Sequence, residues 1–252
     1  MRRPVVLLER QVMIYRHTWY VLLAEIFEPV LYLLSIGVGI GVMVGNVSSV
    51  GRPVQYAAFV APALLATAAM NGAMNEVTFN MFAKLKVERT YESMLATPVS
   101  ARDIGFGEIM WATVRGLVVS TAFLVVLAAA GLAHSPWILL TPFAALLVGF
   151  GFACVGLAVV TWLRSWQDFQ LIQLVMLPMF LFATTFYPLG VYARPVQVVV
   201  ECLPLYQSIV LLRGLALGTV GPGLLVPVVY LEVMGAAALG IALRRLTRTL
   251  SP

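Results

Sequence analysis

The stretch from Tyr56 to Ile109 decides the fold of this chain. It begins with the apolar run YAAFVAPALLATAAMNGAMNEVTFNMF (56–82) and continues with AKLKVERTYESMLATPVSARDIGFGEI (83–109), after which a second long apolar run follows at once. The second part carries a dense group of charges on residues that favour a helix. Two hydrophobic segments joined by a compact charged connector indicate a membrane protein with a docking surface on its cytosolic side.

The composition agrees with a membrane protein. Apolar residues make up 61% of the 252 residues and charged residues only 11%, whereas soluble domains carry about 25% charged residues. A membrane-spanning helix needs about 20 residues to cross about 30 Å of hydrocarbon. We therefore predict an all-α membrane protein, a single domain over 1–252, with six transmembrane helices near Trp19–Val44, Tyr56–Phe82, Met110–Leu132, Trp137–Leu163, Phe169–Tyr187 and Pro222–Leu243.

The basic residues predict the orientation. Of the 16 Lys and Arg residues, 12 lie before span 1, between spans 2 and 3, between spans 4 and 5, or after span 6. Three lie on the opposite face (Arg52, Arg194 and Arg213), and Arg115 lies inside span 3. Because cytosolic loops carry the excess of Lys and Arg, both termini are predicted to be cytosolic. The net charge of +5 reflects this asymmetry and does not indicate nucleic-acid binding.

Two segments outside the spans have their own patterns. Residues 4–18 place apolar side chains at helical spacing and predict an amphipathic helix in the cytosolic interface; the alternative is a simple extension of span 1. Residues 188–221 are broken by prolines yet rich in apolar residues. Irregular backbone at membrane depth must be shielded by protein or a cavity. The pattern therefore predicts two short re-entrant helices, and a plain external loop is the alternative.

No pattern for catalysis is visible. The only two lysines, Lys84 and Lys86, do not follow a glycine, so no phosphate-binding loop exists. His17 and His134 are predicted on opposite faces of the membrane and cannot share a metal. We predict no catalytic residue, no metal site and no cofactor bound by this chain.

Five charged residues lie inside the predicted spans: Glu28, near the start of span 1, and four candidates for a functional or a pairing role, Glu25, Glu76, Arg115 and Glu232. A charge near the bilayer centre costs at least about 2.5–3.5 kcal/mol. One interpretation is a proton relay. The other is pairing between helices, for instance of Glu25 or Glu76 with Arg115 at similar depth. Glu232 is the deepest of the four and the hardest to explain by pairing.

The connector between spans 2 and 3 offers a second group of candidate residues. Glu88, Arg89, Tyr91 and Glu92 lie on a helix-favouring stretch that Thr97-Pro98 ends, because proline disfavours the helical region for its predecessor. Such a rod could receive force from a cytosolic partner. A solvated loop helix is the alternative.

With these segments the chain resembles the permeases of ABC-2-type exporters, in particular the nodulation-factor (lipo-oligosaccharide) exporter permeases and their drug-exporter relatives. The resemblance covers nearly the full length. The matching pieces are EPVLYLLSIGVGIGVMVG (28–45), RTYESMLATPVSARDIGFGEIMWA (89–112) and LPLYQSIVLLRG (203–214). In the third piece Pro204, Leu205 and Arg213 fit the family pattern, whereas Gln207 departs from it.

The resemblance implies a two-subunit permease, either a homodimer or a pair with a close paralogue, in the bacterial inner membrane. A separate ABC ATPase would bind ATP and Mg and drive export outward. The connector at 84–96 would be the coupling helix, with Glu88, Arg89, Tyr91 and Glu92 as contacts to the ATPase.

The substrate implied is an amphiphile such as a glycolipid, a lipo-oligosaccharide or a hydrophobic drug. Met176, Met179, Phe180 and Phe186 could line its groove, although the same residues suit packing or an interfacial aromatic belt. The alternative function is a proton-coupled secondary transporter that uses Glu25, Glu76 or Glu232. A membrane enzyme or an assembly subunit is a further alternative.

Overall fold

The computed structural model describes residues 7, 9–13, 16–17, 19–49, 52–88, 90–133 and 135–250. Within these residues the regular structure is helical except for one antiparallel ribbon, in which β1 (Asn46–Ser49) pairs with β2 (Arg52–Gln55). The ribbon connects the first two long helices, and the chain turns into it at Gly45, whose φ of 68° suits glycine. The fold is that of an all-α membrane protein.

The helices of the described residues, named in chain order, are α1 (Trp19–Val44), α2 (Tyr56–Val87), α3 (Thr90–Leu95), α4 (Ala101–Ala129), α5 (Pro136–Val160), α6 (Phe169–Phe182), α7 (Arg194–Glu201), α8 (Pro204–Ala216) and α9 (Pro222–Leu250). π-helical turns occur in α1 at Leu33–Ile40 and in α2 at Glu76–Asn80 and Ala83–Val87. In the predicted 4–18 helix, Leu7 and residues 9–13 are helical; residues 4–6, 8, 14, 15 and 18 lie outside the described residues.

Among the described residues, five helices are long and apolar enough to cross a membrane: α1, α2, α4, α5 and α9. Helices α7 and α8, which are bent by 84° relative to each other, pass the same test of length and hydropathy only if they are counted as one span. The predicted fifth span, Phe169–Tyr187, contains α6. This helix has 14 residues and would cover about 21 Å at 1.5 Å per residue, so it is shorter than predicted.

The end of α6 has a local cause. Thr184 has a φ of 63°, a left-handed conformation that is unusual for a β-branched residue and cannot continue the helix. The last carbonyl groups of α6 then accept hydrogen bonds from nearby hydroxyl groups: Phe180 from Thr185 (2.9 Å), Leu181 from Tyr187 (3.0 Å) and Phe182 from Tyr192 (3.2 Å). The aromatic residues after α6 therefore cap the helix.

Helix α2 forms the centre of the bundle. Every side chain from Tyr56 to Thr67 is buried, and five of these twelve residues are alanine. Small side chains let α1, α4, α5 and α8 approach closely, as in other membrane bundles. Helices α5 and α9 cross where a Cβ atom on Gly235 would lie 3.4 Å from the Cα atom of Gly151.

The connector is not one rod over 84–96. Helix α2 ends at Val87, Glu88 lies in a bend, and α3 begins at Thr90; Arg89 lies outside the described residues. The Glu88 amide donates to the Ala83 carbonyl (2.9 Å), which closes the last π-turn of α2. Helix α3 ends at Leu95 ahead of Thr97-Pro98, and a capping box of Ser100 and Asp103 starts α4.

Candidate functional site: two buried ionic clusters

The first cluster surrounds the carboxylate of Glu108, two turns inside α4. Lys84 Nζ at the end of α2 lies 2.8 and 3.0 Å from its two oxygens. The Tyr91 hydroxyl of α3 donates to Oε1 (2.9 Å), and Gln11 Nε2 of the N-terminal helical segment lies 3.2 Å from both oxygens. The carboxylate therefore ties three separate segments of the chain to α4.

The central groups of the Glu108 cluster are buried. Tyr91 is 1% exposed and Glu108 is 6% exposed. Burial first, and then the Glu108 carboxylate, raise the pKa of Tyr91 well above its usual value, so the phenol stays protonated and donates. A buried carboxylate is tolerated when it is paired and fully hydrogen-bonded, and removing one partner is costly. The Tyr91 hydroxyl therefore holds α3 against α4 through a buried hydrogen bond to a carboxylate.

The second cluster centres on Arg115, seven residues further along α4. Its Nε donates to Glu25 Oε2 of α1 (2.8 Å) and its Nη2 to Glu25 Oε1, which is a two-pronged contact. Its Nη1 donates to Glu76 Oε2 of α2. Trp111 Nε1 donates to the other oxygen of Glu76 (3.0 Å). Three spans are thus joined through one guanidinium group.

The two clusters form reciprocal ion pairs between α2 and α4. On both helices the acid precedes the base: Glu76 comes before Lys84 on α2, and Glu108 comes before Arg115 on α4. Residues seven or eight apart on a helix lie on the same face. Because α2 and α4 run in opposite directions, each acid meets a base at the same depth. This arrangement sets the register of the two helices.

Two cavities lie on either side of α6. One has a volume of about 310 Å³ and lies between α1, α2, α4 and α6; it is the more polar of the two, and its lining includes Glu25 and Arg115 of the second cluster and also Glu28, Asn71, Asn75 and Gln173. The other has a volume of about 900 Å³, and its lining is almost entirely apolar side chains from α5, α6 and α7. Met176 lines both cavities, so a polar and an apolar compartment meet along one helix.

The predicted connector residues divide between two environments. Glu88 and Glu92 are exposed, and the Thr90 hydroxyl donates to Glu88 (3.0 Å). Arg89 lies outside the described residues. Tyr91 is buried under α4, so it lies inside the subunit and not on the exposed face of the connector. We therefore treat Tyr91 as an internal anchor.

The residues predicted to line the groove, and the remaining intramembrane charge, Glu232, lie in different parts of the structure. Met176 and Phe180 line the polar cavity, and Met176 and Met179 line the apolar one. Phe186 packs edge-on against Phe180, with ring centroids 5.3 Å apart. Glu232 lies on the exposed face of α9 and forms no ion pair with any described residue, away from the Arg115 cluster.

Four residues of the two clusters were not predicted from the sequence: Glu108, Lys84, Gln11 and Trp111. Span 3 was predicted to start at Met110, so Glu108 lay outside it. The signal that could have located it is the Ser100–Asp103 pair, which has the spacing of a capping box. A helix that starts there places Glu108 on its inner face, at the depth of Lys84.

The fold and the buried clusters define a multi-pass membrane protein whose charges join helices. Residues 5–217 match the family described as ABC-2 type transporter. Nodulation protein J of Neorhizobium galegae is 32% identical over 235 residues, which cover 90% of this chain and 87% of that protein. Nodulation protein J of Rhizobium leguminosarum bv. trifolii is 35% identical over 201 residues, covering 78% and 74%.

The chain belongs to the ABC-2 type transporter family. It is a membrane permease of an ABC exporter and a non-catalytic component of it. The resemblance noted in the sequence is thereby confirmed, and membership of the family implies an ABC ATPase as partner.

Proposed function

We propose that this chain is the membrane subunit of an ATP-driven exporter that moves an amphipathic substrate outward across a bacterial inner membrane. A separate ABC ATPase binds ATP and Mg, and a second permease subunit, identical or closely related, completes the transporter. Both termini lie in the cytosol. The observation that carries the proposal is the Glu108 cluster, because it joins the connector directly to two spans.

The connector is the element that receives the movement of the ATPase. Its acids Glu88 and Glu92 lie on the exposed side, while Tyr91 on its inner side is held by Glu108. A push on the exposed side therefore reaches α4 through a buried hydrogen bond. Gln11 brings the N-terminal helical segment into the same movement, which supports an interfacial helix over 4–18.

Helices α7 and α8 support the predicted re-entrant region over 188–221. The Cys202 carbonyl between them accepts a hydrogen bond from Tyr230 (2.7 Å), in the third turn of α9. The end of α8 returns to the loop before α5, where a Cβ atom on Gly218 would meet Ser135. A helix pair that starts and ends near the same end of the bundle would dip into the membrane without crossing it.

The two cavities beside α6 support an amphipathic substrate. The polar cavity presents carboxylates and amides that suit the hydroxyl groups of a glycan, and the apolar cavity suits an acyl chain or a hydrophobic drug. A lipo-oligosaccharide or a glycolipid has both parts. Met176, which lines both cavities, would lie at the junction of the two parts of the substrate.

The alternative of a proton-coupled transporter receives less support. Glu25 and Glu76 are both held by Arg115, and Glu232 lies apart on α9. These carboxylates do not form a continuous path.

Dependence on a partner ATPase is the direct test of the proposed function. The chain purified in mild detergent from its own cells is expected to carry an ABC ATPase with it. After the partner is removed, the subunit in lipid should hydrolyse no ATP above an empty-membrane control, and adding the ATPase back should restore both hydrolysis and transport. Robust hydrolysis by the chain alone would contradict the proposal.

The exposed acids of the connector give a second prediction. The double substitution Glu88→Ala and Glu92→Ala should leave the subunit folded but weaken its binding to the ATPase by about tenfold or more. A charge lost from a buried protein contact costs about 2–5 kcal/mol, whereas a solvated charge costs under about 1 kcal/mol. Binding can be measured by titrating labelled ATPase onto the subunit in nanodiscs.

The control for that titration is Glu201→Ala. It removes a carboxylate at the opposite end of the bundle, and the variant should bind the ATPase like the native chain. Native affinity in the Glu88/Glu92 double variant would show that the connector is a solvated loop.

A further inference from the structure

A third cavity, of about 440 Å³, lies at the end of the bundle opposite to the Glu108 cluster. It is enclosed by the start of α2, the segment after α6, helix α8 and the turn that starts α9. Its lining is mostly apolar, with Pro188, Leu189, Val210 and Leu224 among the members. The polar side chains that line it are few: Thr184, Tyr206, Arg213 and Thr219.

Arg213 reaches this cavity without an acidic partner among the described residues. Its Nε donates to the Phe59 carbonyl (3.1 Å) and its Nη2 to the Thr184 carbonyl (2.9 Å), and the Phe59 ring lies 3.8 Å below the guanidinium carbon. A guanidinium group has five N–H donors. These contacts use two donors and fix the plane of the group, and they leave its positive charge without an anion.

Thr184 adds a second, independent observation. Its hydroxyl is buried and makes no hydrogen bond with any described residue. Its backbone is held at a φ of 63°, a strained conformation for this residue type that persists only where the surroundings hold it. A buried hydroxyl without a hydrogen-bond partner is destabilising, because it has lost its contact with water. A strained residue thus presents an unused hydroxyl group beside an uncompensated cation.

We propose that this cavity binds the phosphate headgroup of an amphiphile. Arg213 supplies the charge and the remaining N–H donors, the Thr184 hydroxyl supplies one hydrogen bond, and the Tyr206 hydroxyl is a further donor in the lining. The apolar lining receives the first carbons next to the headgroup. A phosphate is preferred because a partly buried guanidinium without an acidic partner favours a multidentate oxyanion, and the headgroup can come from a bilayer lipid or from the exported molecule.

The test measures binding to the full chain in detergent without the ATPase, so its failure would leave the proposed exporter function untouched. The probes are dihexanoyl phosphatidic acid, the matching dihexanoyl glycerol that lacks phosphate, and inorganic phosphate. We expect a saturable rise in Tm with phosphatidic acid and no rise with the glycerol. A rise with inorganic phosphate alone at the same concentrations would assign the site to a soluble anion and overturn the assignment to an amphiphile.

Variants localise the site. Arg213→Gln should weaken the apparent affinity for phosphatidic acid at least tenfold, and Thr184→Val at least threefold. Thr184→Val preserves both backbone contacts of Arg213, so it is informative even if Arg213→Gln fails to fold. Arg194→Gln, which removes an exposed arginine near the same end, should bind normally. The proposal would be overturned if Thr184→Val bound phosphatidic acid with native affinity and Arg213→Gln either did the same or failed to fold.

Discussion

Replacing Arg115 with methionine is expected to destabilise the folded subunit by about 3–5 kcal/mol. Methionine is also a long side chain, but it carries no charge, so the carboxylates of Glu25 and Glu76 lose their cation. Glu76 is only 3% exposed. Breaking a buried ion pair by removing one partner is costly because the remaining charge stays buried. Denaturant unfolding in detergent, followed by tryptophan fluorescence, measures the loss.

Two comparisons isolate the cause of that loss. Arg102→Met removes an exposed arginine near the start of the same helix and should change stability by less than about 1 kcal/mol. The triple variant Arg115→Met, Glu25→Gln and Glu76→Gln removes all three charges and should recover much of the stability, since neutral replacement of a buried cluster is often tolerated. An Arg115→Met subunit as stable as Arg102→Met would contradict the role of this cluster.

Replacing Glu108 with glutamine is expected to lower transport per ATP hydrolysed at least tenfold while the complex with the ATPase still assembles. The amide is nearly isosteric with the carboxylate, but it cannot pair with Lys84 and it presents a donor to Tyr91 or Gln11. The connector then moves without carrying α4 with it. The readout is the ratio of transport to hydrolysis in vesicles, which a purely structural role would not change.

Tyr91→Phe tests the same cluster with a smaller change than Glu108→Gln. It keeps the buried ring and removes one hydrogen bond to a charged group, which contributes about 1.5–3 kcal/mol, so a smaller drop in the same ratio is expected. Tyr20→Phe, at a tyrosine that is 61% exposed in α1, is the matched control. Equal losses of hydrolysis and transport in Glu108→Gln and Tyr91→Phe would show that the cluster affects assembly and not coupling.

Much of the fold could be predicted because it depends on local properties of the chain. The apolar runs located α1, α2, α4, α5 and α9, since length and hydropathy alone decide whether a helix can cross hydrocarbon. The end of α3 ahead of Thr97-Pro98 followed from the steric effect of proline on the preceding residue. The quoted motifs were sufficient to identify the family.

The fifth predicted span shows where local patterns were insufficient. The run Phe169–Tyr187 is apolar enough for a full span, but Thr184 adopts a left-handed conformation and the hydroxyl groups of Tyr187 and Tyr192 turn back to cap α6. Hydropathy counts these tyrosines as interfacial residues and cannot detect which carbonyl groups they satisfy. The shorter helix therefore follows from tertiary hydrogen bonds.

By itself, the sequence determined which segments are long and apolar enough to cross a membrane, the family, and the short set of charges within those segments. Only the tertiary structure decided which partners they found. Gln11 and Glu108 are 97 residues apart in the chain, and Glu25 and Arg115 are 90 apart. Such pairs depend on how helix faces are rotated and at what depth they meet. Helical periodicity gives the faces of one helix, but packing against α2 decides which face turns inward.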